Sequence, residues 1–189
     1  RNALHNGPAT EWLKKESENP YFLKCTRFEK RNPLRLKMLD REAINHFCAF
    51  TLIGIEKYTG NMDQFLADTL IFMNEMKEIE FLRLSERFNN SMMNNFAVFG
   101  DKAFQLYIHE DKRYKFNIAY FDVLSVMLAA YSYDLIKIKK DKIYNKFVEL
   151  QKDKKFQKST TFFLVKADRK ENVLLRFQLV EQILSEVMK

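Results

Sequence analysis

Three features of the sequence predict an all-α fold, an irregular bundle of about seven helices with little or no sheet. The chain has 4 Gly and 3 Pro among 189 residues, few points at which a turn-rich β protein could reverse direction. It is 47% hydrophobic, with 18 Phe and 8 Met, enough to fill a sizeable core. Beyond Leu39, apolar residues recur at steps of three and four, the period of one helix face.

The N-terminal part is the least regular. Residues 9–18 read as a short helix ending at "ENP", because Pro20 disfavours helical geometry in Asn19. "YFLKCT" at 21–26 reads as a short extended piece at best, and "EKRNPLRLKM" at 29–38 as an exposed linker. Residues 1–38 therefore form a lead-in of short helix and linker, and residues 39–189 the helical domain.

The first long helix is expected from Asp40 to Tyr58. Asp40 can accept hydrogen bonds from free backbone N–H groups, and Glu42 adds negative charge where the helix dipole favours it. Ile44, Phe47, Cys48 and Leu52 form its apolar stripe, leaving His46 between core positions, and "TGN" with Gly60 ends it. Asn61 and Gln64 have capping-box spacing for a helix over 62–76, with Phe65, Thr69, Phe72 and Met76 on one face and Leu66, Leu70 and Met73 beside them. Over 79–99, Phe81, Leu84, Phe88, Met92, Phe96 and Phe99 make the clearest stripe in the chain, a core seam.

"DKAFQLYIHEDKRYKF" breaks the period and reads as a loop with a short element inside. The helix of 117–133 is apolar on nearly every side, as a central helix should be. A lysine-rich amphipathic helix follows, with Ile136, Ile143, Phe147 and Leu150 as its apolar positions. "STTFFLVKADRKEN" leads to the final helix, 172–187, where Asp168 and Glu171 have capping-box spacing before Val173, Phe177, Val180 and Leu184.

Few residues combine into a recognisable chemistry. His5, His46 and His109 lie far apart without partners at metal-ligand spacing, and no glycine-rich phosphate loop, GxSxG or HExxH is present. Asp40, Glu42 and Asp63 occupy helix starts, where the dipole explains them. No catalytic, cofactor or metal site is expected. Cys25 and Cys48 do not form a CxxC pair and read as reduced, structural thiols. The absence of an apolar signal core in "RNALHNGPATEW" and of a long apolar run leads to a cytoplasmic expectation with no membrane contact.

Charge is the exception. Between residues 135 and 170 twelve Lys or Arg face four Asp or Glu, so this segment carries +8 and the remainder −1 of the total +7. A second basic cluster is "KCTRFEKRNPLRLK" at 24–37. Clustered positive charge fits a polyanionic partner, duplex DNA above all, although the same lysines also suit a solvated helix face. Lys139, Lys142 and Lys146 share one side of the lysine-rich helix, and Lys155 and Lys158 extend the basic run towards Ser159 and Thr160. Hydroxyls in a basic loop, completed by Arg176 from the next helix, could hold a phosphate, or else serve local backbone groups.

Several stretches together resemble a known family. "RNALHNGPATEWL", "LDREAINHFCAF", "YTGNMDQFLADTL", "FNNSMMNNFAVFGDKAF", "NIAYFDVLSVMLA" and "KSTT" with "VLLRFQLVEQIL" occur in the order seen in the helical part of the GmrSD-type restriction endonuclease N-terminal domain family. The resemblance spans nearly the whole chain. It implies bacterial defence against phage with modified DNA, in which a ParB-like, sulfiredoxin-like NTPase domain and an HNH nuclease accompany the helical part in cis or trans. Neither catalytic motif is present here, so the resemblance implies a non-catalytic region, with residues 1–38 as the tail of a ParB-like domain. The start at Arg1 and Asn2 without a methionine fits a fragment. Gln105 after "KAF", where the family often has arginine, and Tyr120, in place of a smaller residue, depart from the pattern. A module that docks a protein or a second copy of itself, as in a homodimer, is the alternative reading.

Overall fold

Helix α1, Pro8–Glu16, starts the computed structural model, which describes residues 7–28, 38–108, 113–160 and 167–189. The linker of 29–38, save Met38, and His5 and His109 lie outside the described residues. The remaining helices are α2 (Pro20–Thr26), α3 (Leu39–Cys48), α4 (Met62–Asn74), α5 (Glu78–Phe99), α6 (Ile118–Leu128), α7 (Tyr133–Leu150), α8 (Lys154–Thr160) and α9 (Lys170–Met188). The expected seven helices thus become nine among the described residues, and the fold is all-α. Its sheet is one antiparallel hairpin, β1 (Gln105–Ile108) with β2 (Arg113–Phe116), pairing Gln105 with Phe116 and Leu106 with Lys115.

Two differences from expectation concern prolines and glycines. "YFLKCT" is helical, not extended, because Asn19 Oδ1 accepts hydrogen bonds from the N–H groups of Tyr21 (2.9 Å) and Phe22 (3.1 Å). Pro20 occupies the first helical turn, where its missing N–H costs nothing. The helix expected to reach Tyr58 instead ends early. After Cys48 it widens into a π turn over Ala49–Ile53 and breaks at Gly54, whose φ of 91° a side chain would oppose. Helix α4 starts as expected, with Asn61 Oδ1 accepting from Gln64 N at 3.1 Å, but Phe72 is exposed rather than part of its buried face.

The lysine-rich stretch is two helices rather than one. Asp153 separates them, its Oδ1 accepting from Lys155 N (2.8 Å) and Phe156 N (2.9 Å) at the start of α8. Helix α9 begins after Arg169 with no side-chain cap, so the expected Asp168 and Glu171 box does not form.

Phe88 joins the N-terminal helices to the rest. Its ring lies 6.3 Å from Trp12 of α1, 5.8 Å from Phe22 of α2 and 5.2 Å from Phe47 of α3. Helices α1 and α2, expected as a lead-in, share one hydrophobic core with residues 39–189. Each such phenyl ring removed from water contributes roughly 1.5–3 kcal/mol.

Helix α6 runs through the middle, packed against α3, α5, α8 and α9. The carbonyl of its last residue, Leu128, and that of Tyr131 just beyond it are met by asparagines of α5. Asn94 Nδ2 donates to Leu128 O (2.8 Å) and Tyr131 O (2.9 Å), and Asn90 Nδ2 to Tyr131 O (2.9 Å). These contacts give the "NNSMMNN" run a structural role as the cap of a buried neighbour. Among the described residues, no helix is long and apolar enough to cross a membrane.

Candidate nucleic-acid interface

The basic residues separate into a surface set and a buried one. On α7 the apolar positions Ile136, Ile143, Phe147 and Leu150 are buried, which turns the intervening lysines outward. Lys137, Lys140 and Lys142 are exposed, and Lys139 is partly covered. Lys146 is partly covered as well, with Nζ 3.9 Å from Glu149 Oε2 and 3.8 Å from Glu186 Oε2 of α9. Its charge is therefore partly neutralised within the chain. Helix α8 turns Phe156 inward, between Tyr120 (5.7 Å) and Phe147 (5.8 Å), and leaves Lys155 and Lys158 in solvent. Lys142, Lys155 and Lys158 are the best placed of the expected residues to meet an external phosphate.

Ser159, Thr160 and Arg176 are not on that surface. Ser159 is fully buried and Thr160 is 1% exposed, and their hydroxyls donate back to Phe156 O at 2.8 and 2.9 Å. Such bonding to the preceding turn is the common fate of Ser and Thr at a helix end. Arg176 is 1% exposed and bonded inside the chain through both outer nitrogens: Nη1 reaches Ala167 O (2.6 Å) and Ser159 O (3.3 Å), and Nη2 reaches Asp122 Oδ2 (2.7 Å). The expected phosphate-binding role of these three is corrected to an internal one, since no donor of theirs faces outward.

Sequence reasoning missed Asp122, the centre of this buried group. Its second oxygen, Oδ1, lies 2.8 Å from His46 Nδ1, so one carboxylate joins α3, α6 and α9. His46, expected away from the core, is 5% exposed. The signal was available in part: one acidic residue inside the otherwise apolar "IAYFDVLSVML" requires a buried positive partner. Tyr58 adjoins the group and donates its hydroxyl hydrogen to Asp168 O. Burial, reinforced by the charge of Asp168, pushes its phenol up to about 12.

Chemically, the charges of the buried group are taken up by its own members, although Arg176 Nε has no partner there, whereas the lysine surface is open to an anion. Among the described residues, no three His, Cys, Asp or Glu side chains come together as a metal site. In comparisons with protein-family models, curated proteins and solved structures, nothing matches this chain.

Proposed function

We propose that this chain is a non-catalytic helical region that contacts the phosphate backbone of duplex DNA, within a modification-dependent restriction or anti-phage defence protein of the GmrSD type. In this reading the NTPase and HNH nuclease activities reside outside the chain. The family assignment rests on the order of the sequence stretches quoted above. The DNA contact is supported by one observation: Lys142 on α7 and Lys155 and Lys158 on α8 are exposed on consecutive helices of a segment carrying +8. Lysines act on phosphates as point charges and carry no base readout, so the interaction is weak and nearly independent of sequence.

A labelled-duplex titration tests this. Changing Lys142, Lys155 and Lys158 together to Glu is expected to abolish binding, while the same exchange at exposed lysines of α1, Lys14 and Lys15, leaves most of it. Equal loss from both sets would mean that net charge, and not this surface, holds the duplex.

A docking module is the second reading, favoured by exposed apolar side chains. Ile138 on α7 is 78% exposed, and Ile71, Phe72, Ile79 and Leu82 of α4 and α5 are about half exposed. If Ile138→Asp removes association with an HNH partner and the lysine exchange does not, this reading replaces the first.

A further inference from the structure

Helix α8 carries two of the three best-placed lysines, yet it has little of its own to keep it folded. It is seven residues long, well short of the roughly 12–15 that an isolated helix needs to be even marginally stable. What holds it is external. Phe156 anchors one side against Tyr120 and Phe147, and Asp153 caps the start. At the other end two carbonyls of the last described turn, those of Ser159 and Thr160, are met by side chains of other elements. Ser159 O receives Arg176 Nη1 at 3.3 Å, and Thr160 O receives Asn117 Nδ2 at 3.0 Å. The same Arg176 nitrogen donates to Ala167 O at 2.6 Å, so one guanidinium grips the exit of α8 and the approach to α9.

Asp122 aims that guanidinium. Its carboxylate takes Nη2 at 2.7 Å, and His46 Nδ1, at 2.8 Å from its other oxygen, holds the carboxylate in turn. We infer that Arg176 is a positioning residue for the basic surface: braced by Asp122 and His46, it caps α8 from within the core and so fixes Lys155 and Lys158 where a phosphate can meet them. This rests on the reading of that surface as a phosphate contact. It assigns to a buried arginine of α9 control over charges it never touches.

The test separates the brace from the binding. In Arg176→Lys the positive charge stays but the fork that spans two carbonyls and a carboxylate is lost. Amide hydrogen exchange at 157–160 should quicken about tenfold relative to the amides of α5, the expected consequence of losing a charged hydrogen bond at a local opening site. Affinity for a labelled duplex should fall as far as it does in Lys155→Ala with Lys158→Ala. Unchanged exchange at 157–160 overturns the inference, and so does faster exchange with unchanged affinity. If the unaltered chain binds no duplex, the reading of the surface fails, while the exchange result still decides whether Arg176 holds α8.

Should Arg176→Lys not fold, as reported by Trp12 against Phe81 and Phe88 on the far helices, the unaltered chain supplies the answer. At low denaturant the Arg176 side-chain N–H groups and the amides of 157–160 should open together with one free energy. Separate openings would overturn the inference.

Discussion

Asp122 and Arg176 face each other across 2.7 Å with 1% of each residue exposed, an ion pair removed almost completely from water. Burying two charges is costly, and the cost is offset here because the carboxylate also meets His46 and the guanidinium two carbonyls. Taking away one partner leaves the other charged and unpaired. Asp122→Ala should therefore destabilise the chain by about 3–5 kcal/mol. Replacing both by apolar residues, Asp122→Leu with Arg176→Met, should cost markedly less. Urea unfolding followed by Trp12 fluorescence measures both; a double variant no better than the single one would show that the pair is worth more than its charges.

Glu16 gives the fold a pH dependence. Burial raises its carboxyl above the ordinary range, against the opposing hydrogen bond from Ser85 and the charge of Lys15. Ser85 Oγ donates to Glu16 Oε1 at 2.7 Å and receives Trp12 Nε1 at 2.8 Å. With the folded value above the unfolded one, the native state binds more protons between them, so this contribution is fully present below the unfolded value and is lost as pH rises through the folded one. Stability measured at increasing pH from about 4 should show this decline, and Glu16→Gln should flatten it. A slope that survives the substitution would place its origin elsewhere.

The cysteines should be inert in the folded chain. Cys25 and Cys48 are both fully buried, and burial drives their thiols well above the ordinary range, with the charge of Glu16 adding to the effect at Cys48. The thiolate is the reactive form. Labelling by a thiol reagent should thus proceed at the rate of global unfolding and accelerate in urea. Rapid labelling in buffer would mean that α2 or α3 opens locally.

Tyr58→Phe removes one hydroxyl whose hydrogen goes to Asp168 O beside the entry to α9. The expected loss is about 1 kcal/mol, with the ring packing on Phe50 and Phe65 retained. Thermal unfolding reads it directly, and no change in midpoint would mean that water replaces the tyrosine at that carbonyl.

Much of this architecture is legible as periodicity. The four apolar positions read on the lysine-rich helix, Ile136, Ile143, Phe147 and Leu150, are the four that α7 buries, and the all-round apolar stretch of 117–133 contains the central helix. Local chemistry was legible where a side chain meets its own backbone, as at Asn61. It failed where a signal had two meanings: Asn19-Pro20, read as a helix stop, lies beyond the end of α1 at Glu16 and begins α2. The buried group was illegible for a different reason. His46 is 76 residues from Asp122, and Arg176 is 54, so no spacing could pair them; of the two readings open for the "STT" hydroxyls, Ser159 and Thr160 follow the local-backbone one, and it is the Ser159 carbonyl that meets the arginine.

The dependence of duplex binding on salt bears most directly on the proposed role of α7 and α8. Titration of the unaltered chain with a labelled duplex at three salt concentrations should give a line in log Kobs against log salt that falls by about 0.9 for each phosphate neutralised. With Lys142, Lys155 and Lys158 each meeting one phosphate, the slope should be about −2.7 or steeper, and their exchange to Glu should leave no binding at any of the three concentrations. Binding that is absent at low salt, or a slope that the exchange leaves unchanged, would contradict a phosphate-contacting surface and return these lysines to a solvated helix face.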